Sequence, residues 1–139
     1  MKKTIDAITR TLEFPLPVER VWHAVTEPAE VVKWFGSHAT YELKEGAAGF
    51  FEWENECAGK IAMKIETIRP FSYFAWRWMQ EPEQAFNHAT STLVEWQLTK
   101  TTTGTRLTMT ESGFAALKQQ QLNTQGWQIE LSDLQQYLR

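Results

Sequence analysis

One cysteine, Cys57, occurs in the 139 residues, so no disulfide can close within the chain. Histidine is scarce too. His23, His38 and His88 fall by pattern in a helix, at a strand start and in a loop, none paired with another at ligand spacing, so no metal is expected. There is no Gly-x-Ser-x-Gly elbow and no Gly-rich phosphate motif, so no cofactor and no catalytic residue are assigned. Cys57 stands in a turn by pattern, without a nearby His, and reads as an incidental thiol. Long apolar runs are missing as well: none approaches the roughly 18 residues that span a bilayer. Met1-Lys2-Lys3-Thr4-Ile5-Asp6 leads into an alternating pattern and not into the apolar stretch of a signal peptide. The expectation is a cytoplasmic protein with no membrane insertion. Charge of one sign is not concentrated either. With 14 basic and 17 acidic residues and a net charge of -3, the basic surface that phosphate binding needs is lacking, and nucleic acid is excluded as the main partner.

Aromatic residues are abundant. Seven Trp, eight Phe and three Tyr make up 13% of the chain, and Trp often lies at the wall of a pocket or interface. The length fits a single domain over residues 1–139. Ile8, Arg10, Leu12 and Phe14 share one face of an alternating segment, which predicts a strand that Pro15 and Pro17 stop. Val18, Val21, Trp22 and Val25 then follow helical spacing. Pro28 breaks that helix and opens a second short one, with Val31, Trp34 and Phe35 as its apolar face and Gly36 at its end. From His38 to Ser112 the pattern alternates with short turns between segments, which predicts consecutive antiparallel strands with one face covered. A turn is expected over 55–59. Trp127, Leu131, Leu134 and Leu138 form a helical stripe. Leu117 and Leu122 are out of phase with it, which predicts a bend or break near Asn123 to Gly126.

The fold class is therefore α+β: a strand, two short helices, further strands, then a long helix whose stripe must cover the sheet. If the sheet curves, a cavity opens between sheet and helix, lined by the aromatic surplus. The candidate lining residues are Trp34, Phe35, Phe51, Trp53, Met63, Trp76, Trp78, Trp96, Met109 and Trp127, each of which ordinary core packing would also explain. Glu111 shares its strand phase with Leu107 and Met109 and should point inward. There it would anchor a ligand by hydrogen bonding, or pair structurally with Arg10, which shares a phase with Ile8 and Leu12.

Phe14-Pro15-Leu16-Pro17-Val18-Glu19-Arg20-Val21-Trp22, Thr26-Glu27-Pro28, Trp34-Phe35-Gly36, Gly59, Ile65 to Pro70, Trp76, Glu111-Ser112-Gly113-Phe114 and Gly126-Trp127 with Leu131 and Leu134 stand in an order that resembles the family named after activators of the Hsp90 ATPase, within the START-like (SRPBCC) superfamily. The resemblance spans nearly the whole chain. It implies the helix-grip fold, a curved antiparallel sheet wrapped around a long C-terminal helix, with two short helices after the first strand. It also implies lipid-like or aromatic ligands held between sheet and helix. Phe71-Ser72-Tyr73-Phe74 departs from the family, which often has a basic and an aliphatic residue there. Eukaryotic members carry a further N-terminal domain, for which this chain has no room. Three functions are carried forward: binding a hydrophobic or aromatic small molecule; a co-chaperone-like module, with a chaperone or another protein as partner; and a cyclase- or dehydratase-like enzyme on a polyketide-like substrate. A monomer or weak homodimer is the expected state.

Overall fold

The computed structural model describes residues 4–36, 38–54 and 59–139. Cys57 and most of the turn expected over 55–59 lie outside the described residues. The strands are β1 (Ile8–Phe14), β2 (His38–Thr40), β3 (Ala48–Trp53), β4 (Gly59–Arg69), β5 (Tyr73–Trp78), β6 (Thr92–Lys100) and β7 (Thr105–Ser112). The helices are α1 (Val18–Thr26), α2 (Pro28–Val31) and α3 (Leu117–Tyr137), with one 3-10 turn at His88–Thr90. The strands form one curved antiparallel sheet in the order β1-β7-β6-β5-β4-β3-β2, and with the long α3 this is the helix-grip architecture.

Local chemistry accounts for the element ends. Pro17 precedes α1, and its carbonyl accepts the amides of Arg20 and Val21. Glu27 stands before Pro28 and is extended, as a residue before proline tends to be, so α1 stops and α2 starts afresh. The strand alternation puts Phe51, Met63, Ile65, Trp76, Val94, Trp96, Leu107 and Met109 in the interior. In β4 the register slips between Ile65 and Thr67, so Ile61, Met63 and Ile65 point inward at odd positions and Ile68 packs on the core at an even one. The turn between β6 and β7 brings Gly104 against β1. A Cβ there would overlap the Phe14 carbonyl oxygen. Gly104→Ala should therefore cost about 1–3 kcal/mol in a urea melt, the range for overpacking, and an unchanged midpoint would contradict this contact.

Two expectations are corrected. Helix α3 is continuous over 21 residues, about 31 Å, with no break at Asn123 to Gly126. Its inward stripe does not end before Trp127 but turns polar: Gln119, Gln120, Asn123 and Thr124 occupy the in-phase positions, while Leu117 and Leu122 face outward. Arg10 does not pair with Glu111. Ile8 stands opposite Glu111 in the register and Arg10 opposite Met109. On edge strand β1 the Arg10 side chain reaches solvent and donates to the Thr9 carbonyl at 2.7 Å.

Candidate functional site

The sheet's inner face, α2 with the turn that follows it, and α3 enclose an aromatic interior centred on Phe35. The short second helix ends before Gly36, whose φ of +72 turns the chain sharply and leaves Phe35 pointing between sheet and α3. The Phe35 ring lies 5.1 Å from Phe51, 5.2 Å from Trp53, 5.8 Å from Trp78 and 6.1 Å from Trp76, and stacks on Trp127 at 5.4 Å. Trp34 meets Trp96 edge-on at 5.8 Å and donates its indole N–H to the Ala24 carbonyl at 2.8 Å. Met63 and Met109 are buried beneath these rings, and Trp53 and Trp78 are half-buried at the rim.

All the lining candidates thus share one interior. Among the described residues these rings meet one another across the space between sheet and helix. Two clefts lie elsewhere on the molecule. One is on the sheet's outer face and the other beside β2 and β3. Edge-to-face and offset ring pairs are each worth about 0.5–1.5 kcal/mol beyond burial, which favours indoles that close up on each other.

Glu111 is fully buried, as its strand phase predicts. Its Oε2 accepts from Trp78 Nε1 at 2.8 Å and Thr92 Oγ1 at 2.6 Å, its Oε1 accepts from Trp127 Nε1 at 2.7 Å, and Asn123 Nδ2 lies 3.1 Å from both oxygens. Around this core Asn123 donates to Gln80, Gln119 donates to Asn123, and Gln80 donates to Thr92. No cation pairs with Glu111 among the described residues. Two indoles, a hydroxyl and an amide fill the capacity of a carboxylate, which has about four lone-pair directions. Glu111 is therefore spoken for by the protein itself.

Two further groups escaped the sequence reading. Trp96 Nε1 is sealed from solvent and has no acceptor. Glu130 stands on α3 beside Trp53, whose Nε1 lies 3.4 Å from its Oε1. Burial pushes the Glu130 carboxyl up to about 7, with Asp133 adding to the rise and Trp53 opposing it. Such a group holds or releases a proton near neutrality, at the edge of an aromatic interior. The raised value fixes a sign. The folded state binds the proton more tightly than the unfolded chain, so the related stability is present below about 4.5 and is lost as pH rises through about 7. With partial exposure discounted, wild-type protein should lose about 1–2 kcal/mol across that window relative to Glu130→Gln. Parallel pH profiles for the two proteins in urea melts would refute it. The spacing of Glu130 from Trp127 is the one signal that a longer reading of the stripe would have caught.

Among the described residues no three His, Cys, Asp or Glu side chains gather to hold a metal, and no helix is long and apolar enough to cross a membrane.

Comparison with known proteins agrees with this architecture. The family model described as activator of Hsp90 ATPase homolog 1-like protein (AHSA1) matches residues 15–139. The protein MLL2253 from Mesorhizobium loti superposes with a TM-score of 0.81 at 21% identity, over 96% of each chain. The Aha1 dimer from Colwellia psychrerythraea superposes at 0.79 and 16% identity, again over 96% of each chain. DynU16, a protein of the dynemicin biosynthetic locus, superposes at 0.79 with 25% identity; 96% of this chain is covered but only 47% of that one. The comparison with curated proteins returns no match.

Proposed function

Because the chain belongs to the activator of Hsp90 ATPase homolog 1-like family, we propose that it binds a small aromatic molecule carrying one hydrogen-bond acceptor, between the sheet and α3. The single observation that carries this reading is the buried Trp96 N–H with no acceptor. A sealed, unpartnered donor costs about 1–3 kcal/mol, and a carbonyl or ether oxygen delivered by a ligand would recover it. Ligand class follows from the packing. Entry has to part ring pairs around Phe35, and an aromatic guest is the kind that restores equivalent contacts. Trp53, half-buried at the rim and with its N–H tied by a 3.4 Å contact to Glu130, is the ring with room to move. Glu111 holds Trp78 and Trp127 in place from below and so shapes the wall without touching the guest.

The test is tryptophan fluorescence with a near-isosteric pair, acetylnaphthalene and ethylnaphthalene. Both should quench, and the ketone should bind about fivefold to tenfold more tightly, the worth of one hydrogen bond of about 1 kcal/mol. Trp96→Phe should erase that preference while keeping the binding of the hydrocarbon. Failure of both molecules to quench up to their solubility limit would sink the reading.

A second reading, a protein-interaction module, rests on Leu122 and Ile129, which stand 52% and 63% exposed on the outward face of α3. It would be supported if a purified Hsp90 ATPase is stimulated by the wild type and not by Ile129→Glu. An ATPase indifferent to both proteins would dismiss it.

A further inference from the structure

The outer face of the sheet, which the interior reading leaves unused, carries a cleft of about 230 Å³ lined by Gly46, Lys64, Ile65, Glu66, Arg77, Phe86 and His88. Its floor is the outward side of β4 and β5. One wall is the turn at Gly46, tied to β4 by the Gly46 amide on the Ile65 carbonyl and the Ile65 amide on the Ala47 carbonyl. The other wall is the long connection after β5. That connection is pinned, because the Glu83 amide donates to the Lys60 carbonyl and the Lys60 amide donates to the Glu83 carboxylate. Phe86 and His88 are thereby held over the strands.

The charges in this cleft are poorly balanced. Lys64 and Arg77 stand directly opposite each other on neighbouring strands. Like charges in that relation repel and destabilise a sheet. Glu66, at the register slip of β4, lies 3.0 Å from Arg77 Nε. The contact is an ion pair without a hydrogen bond at Nε, which is sealed from solvent. Lys64 has no acidic partner and the His88 ring has no hydrogen bond among the described residues. Nearby carboxylates are engaged elsewhere: Glu95 by the Tyr73 hydroxyl at 2.6 Å and Glu45 by the Ile68 amide at 2.9 Å.

We propose that this cleft is a second small-molecule site, for a single-ring anion such as an aromatic carboxylate or phosphate. The anionic end would lie between Lys64, Arg77 and His88, relieving the opposed cations, and the ring would lie against Phe86. The guanidinium offers a planar fork suited to such oxygens. The volume is below the roughly 300–1,000 Å³ of drug-sized pockets, which restricts the guest to one ring. Lys64, Arg77, Phe86 and His88 lie outside the aromatic interior, so the proposal stands or falls apart from the interior reading.

The test follows the Phe86 and His88 ring signals by NMR at constant ionic strength. Probes are benzoate, phenyl phosphate, inorganic phosphate and benzyl alcohol. Saturable shifts are expected with benzoate and phenyl phosphate, and none that saturate with benzyl alcohol. Lys64→Gln should weaken both anions roughly tenfold, equivalent to about 1.4 kcal/mol. Phe86→Ser should bring phenyl phosphate down to the affinity of inorganic phosphate. Both positions face outward or lie in a loop, and a cooperative melt of each variant checks its folding. Shifts that never saturate, or affinities untouched by Lys64→Gln, would overturn the site.

Discussion

A chain ending at Gly126 does not fold. The cut removes Trp127, Leu131, Leu134 and Leu138, which are all buried. Each such side chain is worth about 2–5 kcal/mol in a core, and a domain of this size has about 5–15 kcal/mol in total. The loss reaches beyond apolar contact. Trp127 stacks on Phe35 and donates to Glu111, and Tyr137 donates to Glu30 at 2.9 Å, which ties α3 to α2. Circular dichroism during heating should show no cooperative transition for the shortened chain. A sigmoidal melt would mean that sheet, α1 and α2 form a core without α3.

Replacing Glu111 has the next largest effect. Glu111→Leu keeps comparable bulk but leaves the indole N–H groups of Trp78 and Trp127, the Thr92 hydroxyl and the Asn123 amide without their acceptor. A buried donor left unpaired costs about 1–3 kcal/mol, so a total loss of about 4–6 kcal/mol is expected after partial relaxation. Glu111→Gln should lose about 2–4 kcal/mol, because its amide turns an N–H toward groups that are themselves donors. Urea titration measures both. If acetylnaphthalene and ethylnaphthalene weaken equally in Glu111→Gln, the carboxylate acts through the wall of the site. A selective gain of the ketone, whose carbonyl can accept from the new amide N–H but not from a carboxylate, would instead place residue 111 in contact with the guest.

Much of the architecture is legible in the order of the residues. Alternation in Ile61, Met63 and Ile65, or in Leu107, Met109 and Glu111, states directly which side of a strand is covered, because a strand's faces repeat every second residue. The failures have a common physical root: burial is not the same as apolarity. Asn123 sits on the covered side of α3 because Glu111 needs its amide, so periodicity reads an inward position as a solvent-facing one and breaks the helix where it is continuous. Arg10 has inward phase but stands on an edge strand, where a long side chain can escape to water. Whether rings bound a void or close it depends on helix-to-sheet distance, and phase along one strand carries no information on that. The i, i+3 spacing from Trp127 places Glu130 beside the covered stripe of α3, but its raised carboxyl and the unpartnered Trp96 N–H arise from surroundings in space that spacing along the chain does not encode. The outer cleft depends on a register slip in β4 and on where the connection after β5 lies, and neither leaves a periodic trace.

The pairing of β1 with β7 has a consequence for how the chain reaches this shape. Thr11 meets Thr108 at a sequence separation of 97, and β1 takes its place only when β7 is available. During synthesis, at about 5–20 residues per second, β1 waits roughly 5–20 seconds for its neighbour. The remaining strands, β2 to β7, pair along the sheet with their neighbours in sequence and can zip up as they emerge. The closing of β1 onto β7 is thus a late, long-range event, and loop-closure entropy makes such events slow. Until then the free edge of β7 and the apolar side of β1 are open to other nascent chains, which makes this seam the place where crowding on the ribosome would first produce aggregates.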